Sequence, residues 1–289
     1  MCIRVRQSHG AQSLLLAEGD KNGPPLLLLH GVTRAHADWS NVLGRLGRSW
    51  RVIALDQRGH GLSARASRYL VVDYVADAIR IIRDEIGEPV TILGHSLGAM
   101  VAAGVAAEAA DIVQAVVLED PPFHAMGRRI AGTAWQTQFT AMREIARRGG
   151  SVESLTVALA GIRLPRPGGG TVRLGELRSP EAIRWSAECL ARLDPEVLTP
   201  VIEGRWLDGY DPVAIARAIR CPVRLLQADP AAGGALADDA CGAFADAAVE
   251  CTVERFSGIG HQIHHSEPER VCDAVDRVVA ASATEETAR

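Results

Sequence analysis

The stretch from residue 89 to residue 110 most constrains what this chain can fold into. A short apolar run rich in β-branched residues ends in the pentapeptide GHSLG (Gly94–Gly98) and continues directly into an Ala-rich segment with few helix breakers. This order predicts a buried strand, a sharp turn and a helix, the context in which a G-x-S-x-G pattern carries chemical meaning. The turn forces Ser96 into a strained conformation and lifts its side chain above the sheet edge. Glycine is needed at positions 94 and 98 because a Cβ there would collide with the neighbouring strand or helix.

The same turn predicts Ser96 as a nucleophile. The helix that begins just after it directs free N–H groups towards the site, where they stabilise a developing negative charge. A serine hydroxyl is a weak nucleophile at neutral pH and needs an adjacent base that is itself held by a third group. His261 follows a flexible Ser-Gly-Ile-Gly stretch and is the predicted base. His264 and His265 lie closer to the start of the last helix, and we expect them to be surface or capping residues.

Composition excludes several classes of function. The chain has 289 residues, 47% of them hydrophobic, which is enough for one large core plus an insertion. Its net charge of −4 does not favour nucleic acid or an acidic membrane as a partner. No metal-ligand cluster, Gly-rich phosphate cradle or dinucleotide fingerprint is present, so no cofactor is predicted. We expect a small-molecule substrate, and a monomer or homodimer.

The predicted location is the cytoplasm. No apolar run approaches the roughly 20 residues of a membrane span, and Met1–Gly10 has no signal-peptide core. The six cysteines are dispersed without a C-x-x-C pair, which is typical of reduced thiols.

The order of elements predicts an α/β fold with an insertion. Strands and helices alternate up to residue 122 and again from residue 213, with continuous apolar strands typical of a parallel sheet. Between them, residues 123–212 show helical patterns without a convincing strand. We therefore predict a mainly parallel eight-stranded sheet flanked by helices, with an all-helical segment inserted after the sixth strand. Residues 1–122 and 213–289 would form the core domain, and residues 123–212 a second unit.

Four motifs together resemble the α/β-hydrolase family. They are His30-Gly31 after an early strand, Asp56–Gly61, Gly94–Gly98, and Gly258–His261 before the last helix. They occur in the order and spacing of the family, and the resemblance spans nearly the whole chain. It implies the α/β-hydrolase fold, in the branch with a serine nucleophile, and it implies that residues 123–212 form the cap over the substrate. It says little about the substrate, because this fold hosts many chemistries.

The resemblance leaves open which carboxylate completes a triad with Ser96 and His261. Many relatives carry the acid in a G-x-x-D turn after the cap, but here Asp229 comes too early and Ala231 occupies the expected place. Others carry it one strand after the nucleophile, where this chain has Glu119-Asp120. Neighbours on a strand point in opposite directions, so only one of these two can face the histidine. The family pattern favours Asp120, and Asp229 and Glu119 remain alternatives.

The resemblance also implies the remaining parts of a site. The oxyanion hole would be formed by the backbone N–H groups of Val32 and Leu97. The arginines on the first helix of the insertion are predicted to form a solvated basic face, although one turned inwards could hold a substrate carboxylate in a bidentate manner. The candidate pocket residues are His30, Trp39, His95, Phe123, Trp135 and Phe139.

These features predict a serine hydrolase that cleaves a small ester, lactone, amide or activated C–C bond. Ser96 would attack, His261 would move the proton, and Asp120 would hold the imidazole. A serine at this position argues against haloalkane dehalogenases and epoxide hydrolases, whose relatives carry an aspartate there. Two alternatives remain: a non-hydrolytic enzyme of the same fold, such as a lyase or cofactor-free oxygenase, and a small-molecule receptor.

Overall fold

The computed structural model describes residues 4–8, 14–19, 23–166 and 168–286. Within these ranges, eight strands form one sheet and two short strands form a separate hairpin. The strands are β1 (Arg4–Gln7), β2 (Leu15–Glu18), β3 (Pro25–Leu29), β4 (Arg51–Asp56), β5 (Val90–His95), β6 (Val113–Glu119), β7 (Arg163–Pro165), β8 (Thr171–Arg173), β9 (Val223–Ala228) and β10 (Cys251–Phe256). The α-helices are α1 (Ser40–Leu46), α2 (Val71–Ile81), α3 (Leu97–Glu108), α4 (Ala134–Arg148), α5 (Val152–Ala160), α6 (Leu174–Leu177), α7 (Pro180–Leu190), α8 (Leu198–Ile202), α9 (Pro212–Ala218), α10 (Asp238–Ala247), α11 (Ile263–Ser266) and α12 (Pro268–Glu286).

The large sheet is mainly parallel. Its strand order is β1-β2-β4-β3-β5-β6-β9-β10, and β2 runs antiparallel to both β1 and β4, while the other neighbours are parallel. β3 and β5 are buried along their whole length because helices cover both faces of the sheet. Helices α2 and α3 contribute to the core on one face, and α1 and α12 to the core on the other. The predicted α/β fold with a mainly parallel eight-stranded sheet flanked by helices is confirmed.

The carboxyl ends of the parallel strands share one edge of the sheet, which is where α/β proteins place their ligands. The turn between β5 and α3 lies at this edge and is tightly packed. A Cβ on Gly94 would lie 2.1 Å from the Gly98 carbonyl oxygen, and a Cβ on Gly98 would lie 1.8 Å from the Leu29 carbonyl oxygen. The need for glycine at both positions is therefore confirmed.

The sequence predicted an entirely helical insertion, and this prediction is wrong for the segment between β6 and β9. It contains helices α4 to α9, but β7 and β8 pair antiparallel as a short hairpin. Each strand is only three residues long, so no alternating pattern is long enough to be recognised in the sequence. Buried side chains of the insertion, such as Phe139 and Leu198, join the same hydrophobic cluster as Val116 of the sheet. The division into a core domain and a cap domain stays a prediction.

None of the helices in the described ranges is long and apolar enough to cross a bilayer.

We predict that Gly98→Ala lowers the free energy of unfolding by about 3 kcal/mol or more, because the new methyl group meets strand backbone that has no free space. Gly242→Ala is the matched control: Gly242 lies in α10 with nothing within 4 Å of an added Cβ. Alanine there raises helix propensity and changes stability by less than about 1 kcal/mol. Urea unfolding followed by circular dichroism measures both, and equal midpoints for the two variants would contradict the tight contact.

Candidate active site

Ser96 occupies a strained turn at the end of β5. Its backbone has φ 54° and ψ −113°, and its N–H donates to the Glu119 carbonyl oxygen at 2.8 Å. Among the residues described, the other non-glycine positions with positive φ are Thr33 and Asp120, which lie at the same edge of the sheet. Such strain persists only where the surroundings fix it, and it concentrates at functional sites.

A cavity of about 510 Å³ lies between this edge and the insertion, within the size range of small-molecule sites. Ser96 and His261 both line it. The backbone of Gly31-Val32 also lines the cavity, and Leu97 begins α3 directly beside Ser96. The role of the Val32 and Leu97 N–H groups as an oxyanion hole stays a prediction.

His261 and Asp120 are joined by a short hydrogen bond. The imidazole Nδ1 lies 2.6 Å from the Asp120 Oδ2 atom. The carboxylate is fully buried and also accepts N–H groups from Ala228, Ala235 and Leu236 at 2.7–3.2 Å. An ionised carboxylate accepts only, so Nδ1 carries the proton and Nε2 remains the basic nitrogen of His261. This contact orients the imidazole as a general base requires.

The structure does not bring Asp229 to this imidazole. Its carboxylate accepts the N–H groups of Ala231 and Gly258, both at 2.8 Å, and its own N–H donates to the Ile259 carbonyl oxygen at 2.8 Å. These backbone hydrogen bonds lower the pKa of the Asp229 carboxyl, that of Gly258 foremost. Asp229 therefore ties the end of β9 to the loop that carries His261.

Glu119 faces away from His261 and contacts His264 instead. The His264 ring is completely buried, not at the surface as the sequence suggested, with Nδ1 2.8 Å from Glu119 Oε1 and Nε2 3.4 Å from Asp38 Oδ2. His265 remains partly exposed, and its Nε2 lies 3.2 Å from the other Asp38 oxygen. The signal for this network was present in the sequence: two adjacent carboxylates at a buried strand end need two partners, because a buried charge is costly when unpaired.

Charge compensation shifts the pKa values in this network. Burial alone would lower the pKa of His264, but the Glu119 charge and the hydrogen bonds to Asp38 and Glu119 raise it to about 9. Burial would raise the pKa of the Asp38 carboxyl, but the Arg34 guanidinium and hydrogen bonds from both histidines hold it well below its usual value. His264 is therefore an imidazolium at neutral pH.

His95 lines the cavity and positions the backbone of His261. Burial, followed by the charges of His261 and His264, holds the pKa of His95 well below its usual value, so the ring is neutral. Its Nε2–H donates to the His261 carbonyl oxygen at 2.9 Å. Gly31 packs against the other ring nitrogen, where a Cβ would approach Nδ1 to 2.8 Å.

Trp135 and Phe139, like His95, line the cavity as the sequence suggested. The Trp135 ring meets the imidazole of His261 edge to face at 5.7 Å and stacks on Phe139 at 6.0 Å. Both aromatic residues belong to α4, so the insertion contacts the candidate base directly.

The other three candidate pocket residues do not line the cavity. His30 is fully buried, and both of its ring nitrogens bond to backbone groups. Trp39 packs against the ring of His264 at 4.6 Å. Phe123 stacks on Phe244 at 4.6 Å. All three are buried in the core, His30 through its hydrogen bonds and Trp39 and Phe123 through their ring contacts.

Two groups of side chains in the described part of the chain lie close enough to share a metal ion. They are Asp38 with His264 and His265, and His95 with Glu119 and His264. Both depend on His264, whose two ring nitrogens already face carboxylates. The absence of a metal from the function stays a prediction.

Comparison with known proteins identifies the fold. A family model described as alpha/beta hydrolase fold matches residues 24–165. The solved structure of N-formylmaleamic acid deformylase from Pseudomonas putida S16 superposes with a TM-score of 0.75 over 94% of this chain and 100% of that chain, at 22% identity. The chain has the alpha/beta-hydrolase fold. The recognition made from the four motifs is confirmed.

Two relatives with named activities resemble part of this alpha/beta-hydrolase-fold protein. It is 38% identical over 100 residues to 2-(acetamidomethylene)succinate hydrolase of Mesorhizobium japonicum, covering 34% of this chain and 36% of the relative. It is 36% identical over 127 residues to N-formylmaleamate deformylase of Pseudomonas putida, covering 42% and 46% respectively. The match therefore spans less than half the length of either relative.

We predict that the free energy of unfolding falls as pH rises from 6.5 towards 9, because of His264. Below pH 6.5 the ring is protonated in both the folded and the unfolded states, so its stabilisation is complete. Above that pH the unfolded ring loses its proton while the folded ring keeps it up to about pH 9. The contribution lost is roughly 3 kcal/mol, measurable by urea unfolding at intervals between pH 6.5 and 8.5.

In His264→Gln, the free energy of unfolding should no longer fall between pH 6.5 and 8.5. His60→Gln is the control, because burial lowers the pKa of His60 to about 3 and the ring stays neutral throughout the window. If the free energy of unfolding falls with pH as steeply in His264→Gln as in the wild-type protein, His264 is not the cause of this pH dependence.

Proposed function

We propose that this protein is a serine hydrolase that cleaves a small ester, lactone, amide or activated C–C bond through an acyl-enzyme on Ser96. The observation that carries the proposal is the 2.6 Å hydrogen bond between His261 and the buried Asp120, with Ser96 and His261 lining the same cavity. A serine needs such an oriented base to react at neutral pH.

In the acylation step, Ser96 Oγ attacks the substrate carbonyl carbon while Nε2 of His261 takes the hydroxyl proton. Asp120 stabilises the imidazolium that forms. The N–H groups of Val32 and Leu97 bind the negative oxygen of the tetrahedral intermediate, and each such donor contributes about 3–4 kcal/mol to transition-state stabilisation. The bond to the leaving group then breaks, and the leaving group takes the proton from His261.

In the deacylation step, water repeats the same chemistry. His261 removes a proton from water as its oxygen attacks the acyl-serine carbonyl carbon. The second intermediate collapses, Ser96 regains its proton from His261, and the acid product leaves. No redox change occurs, which is consistent with a function that needs no cofactor.

Three further observations support this function, the assignment of the cap and a cytoplasmic location. The names of the two relatives denote a hydrolase of an acetamido compound and a deformylase. Residues 123–212 contribute Trp135 and Phe139 to the cavity wall, which supports their assignment as a cap over a small-molecule substrate. The five cysteines in the described ranges are free, which supports a cytoplasmic location. We expect a monomer or homodimer.

We predict that a fluorophosphonate labels the wild-type protein once and does not label Ser96→Ala, as measured by intact mass. The same two proteins are assayed against a panel of short esters, lactones and N-acyl amides. We expect turnover in the wild-type protein and a loss of at least about 1,000-fold in Ser96→Ala, because the covalent route is removed. The mass shift also fixes the number of labelled sites.

The remaining outcomes separate the alternatives. Labelling at Ser96 without turnover of any panel member would favour a lyase, a cofactor-free oxygenase or a small-molecule receptor. Labelling that persists in Ser96→Ala, or no labelling of the wild-type protein, would show that Ser96 is not the activated nucleophile.

We also predict that Asp120→Asn lowers kcat by about 10,000-fold, because the amide no longer holds His261 in the required tautomer. Asp229→Asn is the matched control, since an asparagine oxygen still accepts an N–H from the loop; we expect less than a tenfold loss. Steady-state kinetics on the best panel substrate compares the two. A larger loss in Asp229→Asn would transfer the role of the acid to that residue.

A further inference from the structure

The candidate active-site cavity carries uncompensated positive charge. Arg34 and Arg178 both line it, and none of the described residues along its wall is an aspartate or glutamate. Neither arginine belongs to α4, the first helix of the insertion, where the sequence predicted a solvated basic face. On that helix, Arg147 pairs at the surface with Glu196 at 2.7 Å.

Arg178 is the more unusual of the two. It follows α6 and is half-buried, and within the described ranges its guanidinium has neither a hydrogen-bond partner nor an ion pair. Burial and the nearby charge of Arg34 lower the pKa of Arg178 to about 10, so it stays charged at neutral pH. A half-buried guanidinium that faces a cavity and has no partner in the chain keeps its hydrogen-bond donors free, so it is suited to a partner that arrives from outside the chain.

Arg34 is held rigidly beside it. Its Nη1 donates to Ser186 Oγ at 3.2 Å, and its Nη2 donates to the side-chain oxygen of Gln262 at 2.9 Å. The carboxylate it contacts, Asp38, lies 4.0 Å away and is shared with His264 and His265. Asp38 is therefore already occupied by three basic groups, and it does not balance the charge of Arg178.

We propose that Arg178, with Arg34 beside it, binds a carboxylate group of the substrate. The substrate is then a small molecule that carries a free carboxylate in addition to the ester, amide or other bond to be cleaved. A guanidinium matches a carboxylate through two parallel hydrogen bonds, and it does so best where water is excluded. The apolar wall formed by Trp135, Phe139 and Leu164 suits the hydrocarbon segment between the two groups. The inference rests on the proposed function in that it takes this cavity as the substrate site.

The first test compares mono-4-nitrophenyl glutarate with its neutral counterpart, methyl 4-nitrophenyl glutarate. The two esters differ only in the free carboxylate, so the ratio of their kcat/KM values reports its recognition. We expect the wild-type protein to prefer the anionic ester and Arg178→Gln to reduce this ratio by about 10- to 100-fold, the range typical of a charged hydrogen bond. Arg178→Lys should retain part of the preference, because lysine keeps the positive charge but cannot form two parallel hydrogen bonds with a carboxylate.

Arg184→Gln is the matched control. Arg184 lies on α7, is exposed, and pairs with Glu188 at 3.3 Å, outside the cavity. Its loss should leave the ratio of the two esters unchanged. A wild-type protein without preference, or an Arg178→Gln variant in which both esters lose activity equally, would overturn the proposal.

A binding measurement separates this inference from the proposed function. Isothermal titration of Ser96→Ala with glutaric acid monoamide and with neutral glutaramide does not depend on turnover. We expect only the anionic compound to bind, with affinity lost in Ser96→Ala/Arg178→Gln. Equal binding of both compounds, or of neither, would overturn the carboxylate site. If neither ester is cleaved by the wild-type protein but the monoamide binds through Arg178, the proposed hydrolase function fails and the carboxylate site is supported.

Discussion

The candidate site depends on two consecutive buried carboxylates at the end of β6. Glu119 and Asp120 point in opposite directions, and each is fully buried and matched by a histidine. Both histidines come from the segment between β10 and α12: His261 lies in its loop and His264 in α11. Because an unpaired charge in this interior would be costly, the two pairs together fix the position of that segment. The orientation of the candidate base therefore follows from charge compensation on both faces of one strand end.

The turn that carries Ser96 is fixed by the same strand end. The Ser96 N–H donates to the carbonyl oxygen of Glu119, and α3 approaches β3 so closely that Gly98 has no space for a side chain. The neighbouring His95 reaches back to the carbonyl oxygen of His261. The nucleophile turn and the base loop are thus connected through backbone groups, so the strain at Ser96 is held by β3, β5 and β6 together.

Sequence patterns predict the parts of this molecule that are determined locally. The buried strands and the Ser96 turn follow from short apolar runs and from glycine at fixed positions. The choice among the acids was not local: Asp120 and His261 are 141 positions apart, and only the family resemblance ranked Asp120 above Asp229. His264 was expected at the surface because its burial depends on Glu119, 145 positions away. Nothing around Arg178 indicates that it turns inwards, since Leu177 beside it is exposed.

The distribution of charge around the cavity favours an anionic ligand inside it. Behind the wall, the carboxylates of Asp38, Glu119 and Asp120 are each matched by basic groups of the chain itself. At the cavity surface, by contrast, Arg178 has no such partner among the described residues. Asp38 separates the two regions, because it contacts Arg34 on the cavity side and His264 on the core side. A carboxylate bound beside Arg178 would complete the compensation, so the folded protein should gain stability from an anionic ligand in proportion to the logarithm of its concentration above the Kd.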